Sequence, residues 1–155
     1  TLDALDFTPE NALDLGTGTA ILALAVVKAW PTARVTASDI DPVAIKVSRE
    51  NTEVNMVNIG EAAGEIALYV ADGLEDAALA ARGPFDLVVA NILAGPLIEM
   101  APSVSAALAP GGTLVLAGLL AGQAEAVEAA YRVCGVTPVS RTVIGAWPTL
   151  RLLKA

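Results

Sequence analysis

The chain has 155 residues, 55% of them apolar and 17% charged, which is one domain's worth with a sizeable core and excludes a disordered chain. Nine Lys/Arg against 17 Asp/Glu leave a net charge of −8, which disfavours nonspecific binding to nucleic acid or to an anionic membrane. Histidine is absent and Cys134 is the only cysteine, so His-based triads, histidine general bases, disulfides and His- or Cys-cluster metal sites are removed.

No apolar run reaches the roughly 18 residues that would span a bilayer. The chain starts at Thr1 without a charged-then-apolar leader pattern, and reads as a soluble domain that lacks its natural N-terminus. Ala12–Leu15 is a short apolar strand ending at Gly16, and the alanine- and leucine-rich Ala20–Ala29 reads as a buried helix. Arg34–Ser38 is the second strand. Asp41 then caps a helix with Pro42 at its first position, running to about Asn55.

Ile66–Val70 and Asp86–Ala90 follow as strands. Leu97–Leu108 is expected to be helical and broken by Pro102, and Pro110-Gly111-Gly112 to be a turn before the strand Thr113–Ala117. Gln123–Cys134 is a helix stopped by Gly135, and Thr137–Thr142 and Trp147–Leu153 are strands joined at Gly145. The alternation predicts an α/β, Rossmann-like, doubly wound sheet of seven strands, mostly parallel, with an antiparallel C-terminal strand. Pro148 cannot donate a ladder hydrogen bond and belongs near a strand start. Cys134, Trp30 and Trp147 read as packing residues.

Chemistry concentrates where strands end. Asp14-Leu15-Gly16-Thr17-Gly18-Thr19-Ala20 joins the first strand to the first helix, a position where glycines let a backbone approach a ligand. The GxGxx[GA] dinucleotide fingerprint fails at Ile21, and no GxxxxGK[ST] phosphate loop is present. The pattern DxGxG followed by Ala20 resembles the first motif of class I S-adenosylmethionine (SAM)-dependent methyltransferases. Asp39 ends the second strand 21 positions after Gly18, where an acid can accept from both ribose hydroxyls, and Ile40 beside it can pack on adenine. Asp72 ends the third strand, where the superfamily reads the adenine amino group, although Asp-Gly is also a common turn pair. Asn91 follows the fourth strand, and its carboxamide could position a target amine.

The segment VVANILAGPLIEMAP resembles the corresponding part of the ribosomal protein L11 methyltransferase family, as do ALDLGTGTAILALA, ASDIDPVAIKVSRENTEVN and APGGTLVLAGLLAGQAEAVEAAY. The resemblance implies a cytoplasmic SAM-dependent enzyme that methylates lysine side chains and the N-terminal amine of one large-subunit ribosomal protein. S-adenosylhomocysteine would be the other product. It implies cofactor roles for Asp14, Gly16, Thr17, Gly18, Asp39, Ile40, Asp72 and Asn91, with Asn91 also orienting the amine. The reading makes residues 1–155 one catalytic domain, without the family's N-terminal recognition domain. Another small-molecule or RNA methyltransferase, or a non-catalytic SAM-binding fragment, are the alternatives.

Overall fold

A computed structural model of the chain describes residues 2–155. Seven strands form one sheet in the order β3-β2-β1-β4-β5-β7-β6. They are β1 (Asn11–Leu15), β2 (Arg34–Asp39), β3 (Ile66–Val70), β4 (Phe85–Asn91), β5 (Leu108–Ala117), β6 (Val136–Ile144) and β7 (Trp147–Lys154). β1 to β5 run parallel, and β7 lies antiparallel to both β5 and β6. All five residues of β1 are buried, the pattern of a central strand covered on both faces.

The helices are α1 (Ile21–Ala29), α2 (Pro42–Val54), α3 (Ala77–Ala80), α4 (Ala94–Glu99), α5 (Ala101–Ala107) and α6 (Ala124–Val133). Successive strand residues face opposite ways, so each strand feeds two cores. Ala12, Val35, Leu87, Val89 and Val115 pack with Ala23, Leu24 and Val27 of α1. Leu13, Val88, Ala90, Leu114 and Leu116 pack with Leu97 of α4, Val104 of α5 and Val127 and Tyr131 of α6. The parallel strands leave their carboxyl ends along one edge. Strand order reverses there between β1 and β4, the switch point at which open α/β sheets bind ligands.

Most predicted elements appear within a residue or two. The exceptions have local causes. The expected Leu97–Leu108 helix is two helices meeting at Met100, because Pro102 lies in the first turn of α5, where its missing N–H is tolerated. Pro110-Gly111-Gly112 is not a separate turn. It is an irregularity inside β5, where the pairing advances from Phe85↔Leu108 to Leu87↔Thr113. Pro148 is the second residue of β7, as its missing donor requires. Trp147 is exposed rather than packed, because it sits opposite Ile144 at the tip of the β6–β7 hairpin. Trp30 and Cys134 are partly buried against the two cores.

Candidate functional site

The β1–α1 loop is held from three sides. Asp14 is 1% exposed, and its Oδ2 accepts from the Thr17 hydroxyl at 2.6 Å and from the Ala23 N–H at 2.9 Å. The second bond satisfies an N–H in the first turn of α1, whose own cap residue, Ala20, supplies no side-chain acceptor. Oδ1 of Asp14 has no hydrogen-bond partner. Burial is the main reason its pKa rises from 3.8 to about 6. The bonds from Thr17 and Ala23 oppose the rise, and the charge of Asp39 adds slightly to it. Asp14 is therefore an anchor of the loop, with its carboxylate turned into the protein.

Asp39 grips the same loop from β2. Its Oδ2 accepts from the Gly18 N–H at 2.9 Å and its Oδ1 from the Asp41 N–H at 3.0 Å. A carboxylate offers about four lone-pair sites, so these bonds leave capacity for a ligand. Asp41 accepts from the Val43 N–H at 2.8 Å, the helix-cap role its position predicts. From α2, Ser48 donates to the Gly18 carbonyl and Asn51 to the Thr19 carbonyl. Sequence reasoning missed these two. Their spacing of three on one helix was the available signal, but nothing local says that this face meets the glycine loop.

The loop conformation explains its composition. Gly16 has φ +69°, and a Cβ there would lie 2.4 Å from Cγ2 of Ile92. Ala20 has φ +63° although it carries a side chain, a conformation that costs L-residues about 1–2 kcal/mol. The alanine thus holds a backbone conformation that glycine adopts more readily.

A cavity of about 410 Å³ opens at the carboxyl edge beside this loop. Gly16, Asp39, Ile40 and Asp72 line it together, as do Leu15, Ser38, Ala71 and Gly73. Ile92, Leu93, Pro96, Glu99 and Met100 form the opposite wall and were not singled out in the sequence. Three carboxylates, Asp39, Asp72 and Glu99, line the cavity without a lysine or arginine. That lining suits a cationic or neutral nucleoside and repels a pyrophosphate. Thr17 is buried with its hydroxyl on Asp14, and Gly18 meets the site through its bond to Asp39.

Asn91 stands apart from these residues. It shares the strand face of Leu87 and Val89, on the α1 side, and it is exposed. It lines a second cavity of about 410 Å³ with Leu22, Val115, Ala117 and Thr149. Its neighbour Ile92 lines the first cavity and packs with the other core. Two consecutive residues thus serve two cavities on opposite sides of the sheet edge.

No helix among the described residues is long and apolar enough to cross a membrane. No group of three or more His, Cys, Asp or Glu among them could hold a metal ion.

The chain matches the sequence profile of the family described as "Ribosomal protein L11 methyltransferase (PrmA)" over residues 1–155. It is 46% identical over 144 residues to the ribosomal protein L11 methyltransferase of Agrobacterium fabrum, covering 93% of this chain and 47% of that protein. The Brucella suis protein of the same name is 48% identical over 129 residues, covering 83% and 43%. The chain thus spans about half the length of the curated relatives it matches. Among solved structures, a ribosomal protein L11 methylase from Lactobacillus delbrueckii subsp. bulgaricus superimposes with a TM-score of 0.84 at 29% identity, covering 99% of this chain and 74% of that one. A methyltransferase from Pyrococcus furiosus shares the fold, with a TM-score of 0.76 at 19% identity over 99% of this chain and 79% of that one. Strand order, glycine loop and acidic carboxyl edge define a Rossmann-like domain of the class I methyltransferase type. The chain belongs to the ribosomal protein L11 methyltransferase family.

Proposed function

We propose that this chain is the catalytic unit of a SAM-dependent protein amino-methyltransferase. Its acceptors are lysine side chains and the N-terminal amine of ribosomal protein L11, in the cytoplasm. One observation carries the reading: Asp39, tied to the Gly18 N–H, stands on the wall of a cavity whose lining is acidic and apolar. A volume of about 410 Å³ lies within the usual range for a small-ligand site.

Asp39 is assigned to the ribose hydroxyls, Ile40 to one face of the adenine and Asp72 to the adenine amino group. Gly16 allows the backbone close approach. Asp14 and Thr17 hold the loop in place. Bound SAM supplies a methyl group on a sulfonium that is already an activated leaving group. The protein's part is then positional, and such orientation is worth roughly 7–11 kcal/mol. The target lysine must first lose its proton, which passes to solvent. From the ordinary lysine pKa of about 10.4, that costs about 4–5 kcal/mol near pH 7, a cost that desolvation lowers once the docked substrate covers the site. The amine enters from the second cavity; the Asn91 carboxamide oxygen accepts from it and aims its lone pair past Ile92 toward the first cavity.

The test is methyl transfer from radiolabelled SAM to purified L11, with SAM binding followed by calorimetry. Asn91→Ala should lower kcat at least about tenfold, a typical cost of losing one aligned hydrogen bond in the transition state, with the Kd for SAM unchanged. Unchanged kcat and KM would reject the assignment.

A further inference from the structure

We propose that Gly118 is a positioning residue whose bare backbone sets the place of Asn91 and Ile92. The functional consequence rests on the role given above to Asn91.

Gly118 follows the last residue of β5, and Ala117 before it pairs with Asn91. A Cβ at Gly118 would lie 2.6 Å from the Ile92 carbonyl oxygen, 2.9 Å from the Ile92 nitrogen and 3.0 Å from Oδ1 of Asn91. The first two are backbone atoms, so no rotamer change relieves the overlap. The end of β5 therefore rests directly on the β4–α4 connection. Ile92 in turn presses on Gly16 of the cofactor loop, where a Cβ would meet its Cγ2 at 2.4 Å. Gly16, Ile92 and Gly118 form one line of close contacts across the ends of β1, β4 and β5. Asn91 and the wall of the first cavity share this support, since Ile92 lines that cavity.

Gly118 also has φ +81°, so a side chain there brings backbone strain as well as overlap. Gly111 separates the two effects. It lies within β5, seven residues before Gly118, with φ +74° and nothing within 4 Å of an added Cβ. Gly111→Ala therefore carries the strain without the collision.

The experiment compares Gly118→Ala with Gly111→Ala by NMR of the Asn91 side-chain amide and the Ile92 backbone amide, and by methyl transfer to L11. Gly118→Ala should shift both resonances. It should also lower kcat at least tenfold, with KM for L11 and SAM within threefold. Gly111→Ala should leave both resonances and kcat in place while losing only the thermal stability that strain alone costs, less than Gly118→Ala loses. Equal effects in the two variants, or unmoved Asn91 and Ile92 signals in Gly118→Ala, overturn the proposal. Absence of both SAM binding and methyl transfer by the wild-type chain would reject the functional reading, and the resonance comparison would still decide the role of Gly118. Should Gly118→Ala not fold, the order parameter of the Asn91 side-chain amide in the wild type decides. A value of about 0.6 or more supports the proposal, and a lower one overturns it.

Discussion

Asp14→Asn should make the protein more stable at neutral pH and remove a specific part of its pH dependence. The folded-state carboxyl titrates at about 6 against 3.8 in an open chain. Between those pH values the folded state holds more protons than the unfolded one, so stability falls as pH rises from about 4 to about 6. The loss is complete above about pH 7. At about 1.36 kcal/mol per pH unit, it amounts to about 3 kcal/mol. The amide oxygen can still accept from Thr17 and Ala23. The amide NH2, however, takes the place of Oδ1, which has no partner, and an unmet donor costs about 1–3 kcal/mol.

With a donor cost near the middle of that range, the net expectation is a gain of about 1 kcal/mol at pH 8 and a loss of about 1 kcal/mol at pH 4.5. In Tm this is roughly 2–4 °C in each direction. The assay is urea unfolding of both proteins across pH 4.5 to 8. The packing cost of the amide does not change with pH, and about 1 kcal/mol of the 3 is already lost by pH 4.5, so the difference between variant and wild type should swing by about 2 kcal/mol over that range. A difference that stays flat with pH would refute the reasoning.

Asp39→Ala removes the acceptor of the Gly18 and Asp41 N–H groups together with the assigned ribose contact. Calorimetry should show the Kd for SAM rising at least about 30-fold, in line with hydrogen bonds to a charged group, and a rise below threefold would count against the assignment. Arg141→Met tests a different part of the molecule. Glu128 is 7% exposed, accepts from Nε and Nη2 of Arg141 at 3.1 and 2.9 Å, and has Arg132 at a longer 3.4 Å. Removing Arg141 should lower stability by about 1–3 kcal/mol with SAM affinity unchanged. Arg132→Met should cost less, and the reverse order would contradict the geometry.

The strands, the α2 cap and the glycine loop were legible because their signals are local. Asp41-Pro42 caps its own helix, and Asp39 is placed simply by ending β2. Asp14 was legible only in part. Its motif position pointed to the cofactor, but α1 lacks a capping side chain of its own and draws the Asp14 carboxylate inward. Asn91 was recognised as the polar residue after an apolar strand. Its cavity was not, because strand alternation sends it to the α1 side while Ile92 turns to the other. The far wall of the first cavity, from Leu93 to Met100, carries mostly apolar residues that look like ordinary helix packing in a linear reading.

The net charge also acquires a place in the molecule. The −8 is partly gathered at the cavity, which Asp39, Asp72 and Glu99 line without a lysine or arginine. By itself the sequence determined the order of strands and helices, the loop that turns sharply and the acids that end its strands. These follow from side-chain period, capping and backbone freedom, all set within a few residues. Only the tertiary structure decided that Asp14 is buried, that Asn91 and Ile92 serve different cavities, and that Gly118 must stay bare. Each of those depends on which strands pair and in what register, and so on contacts between residues far apart in the chain.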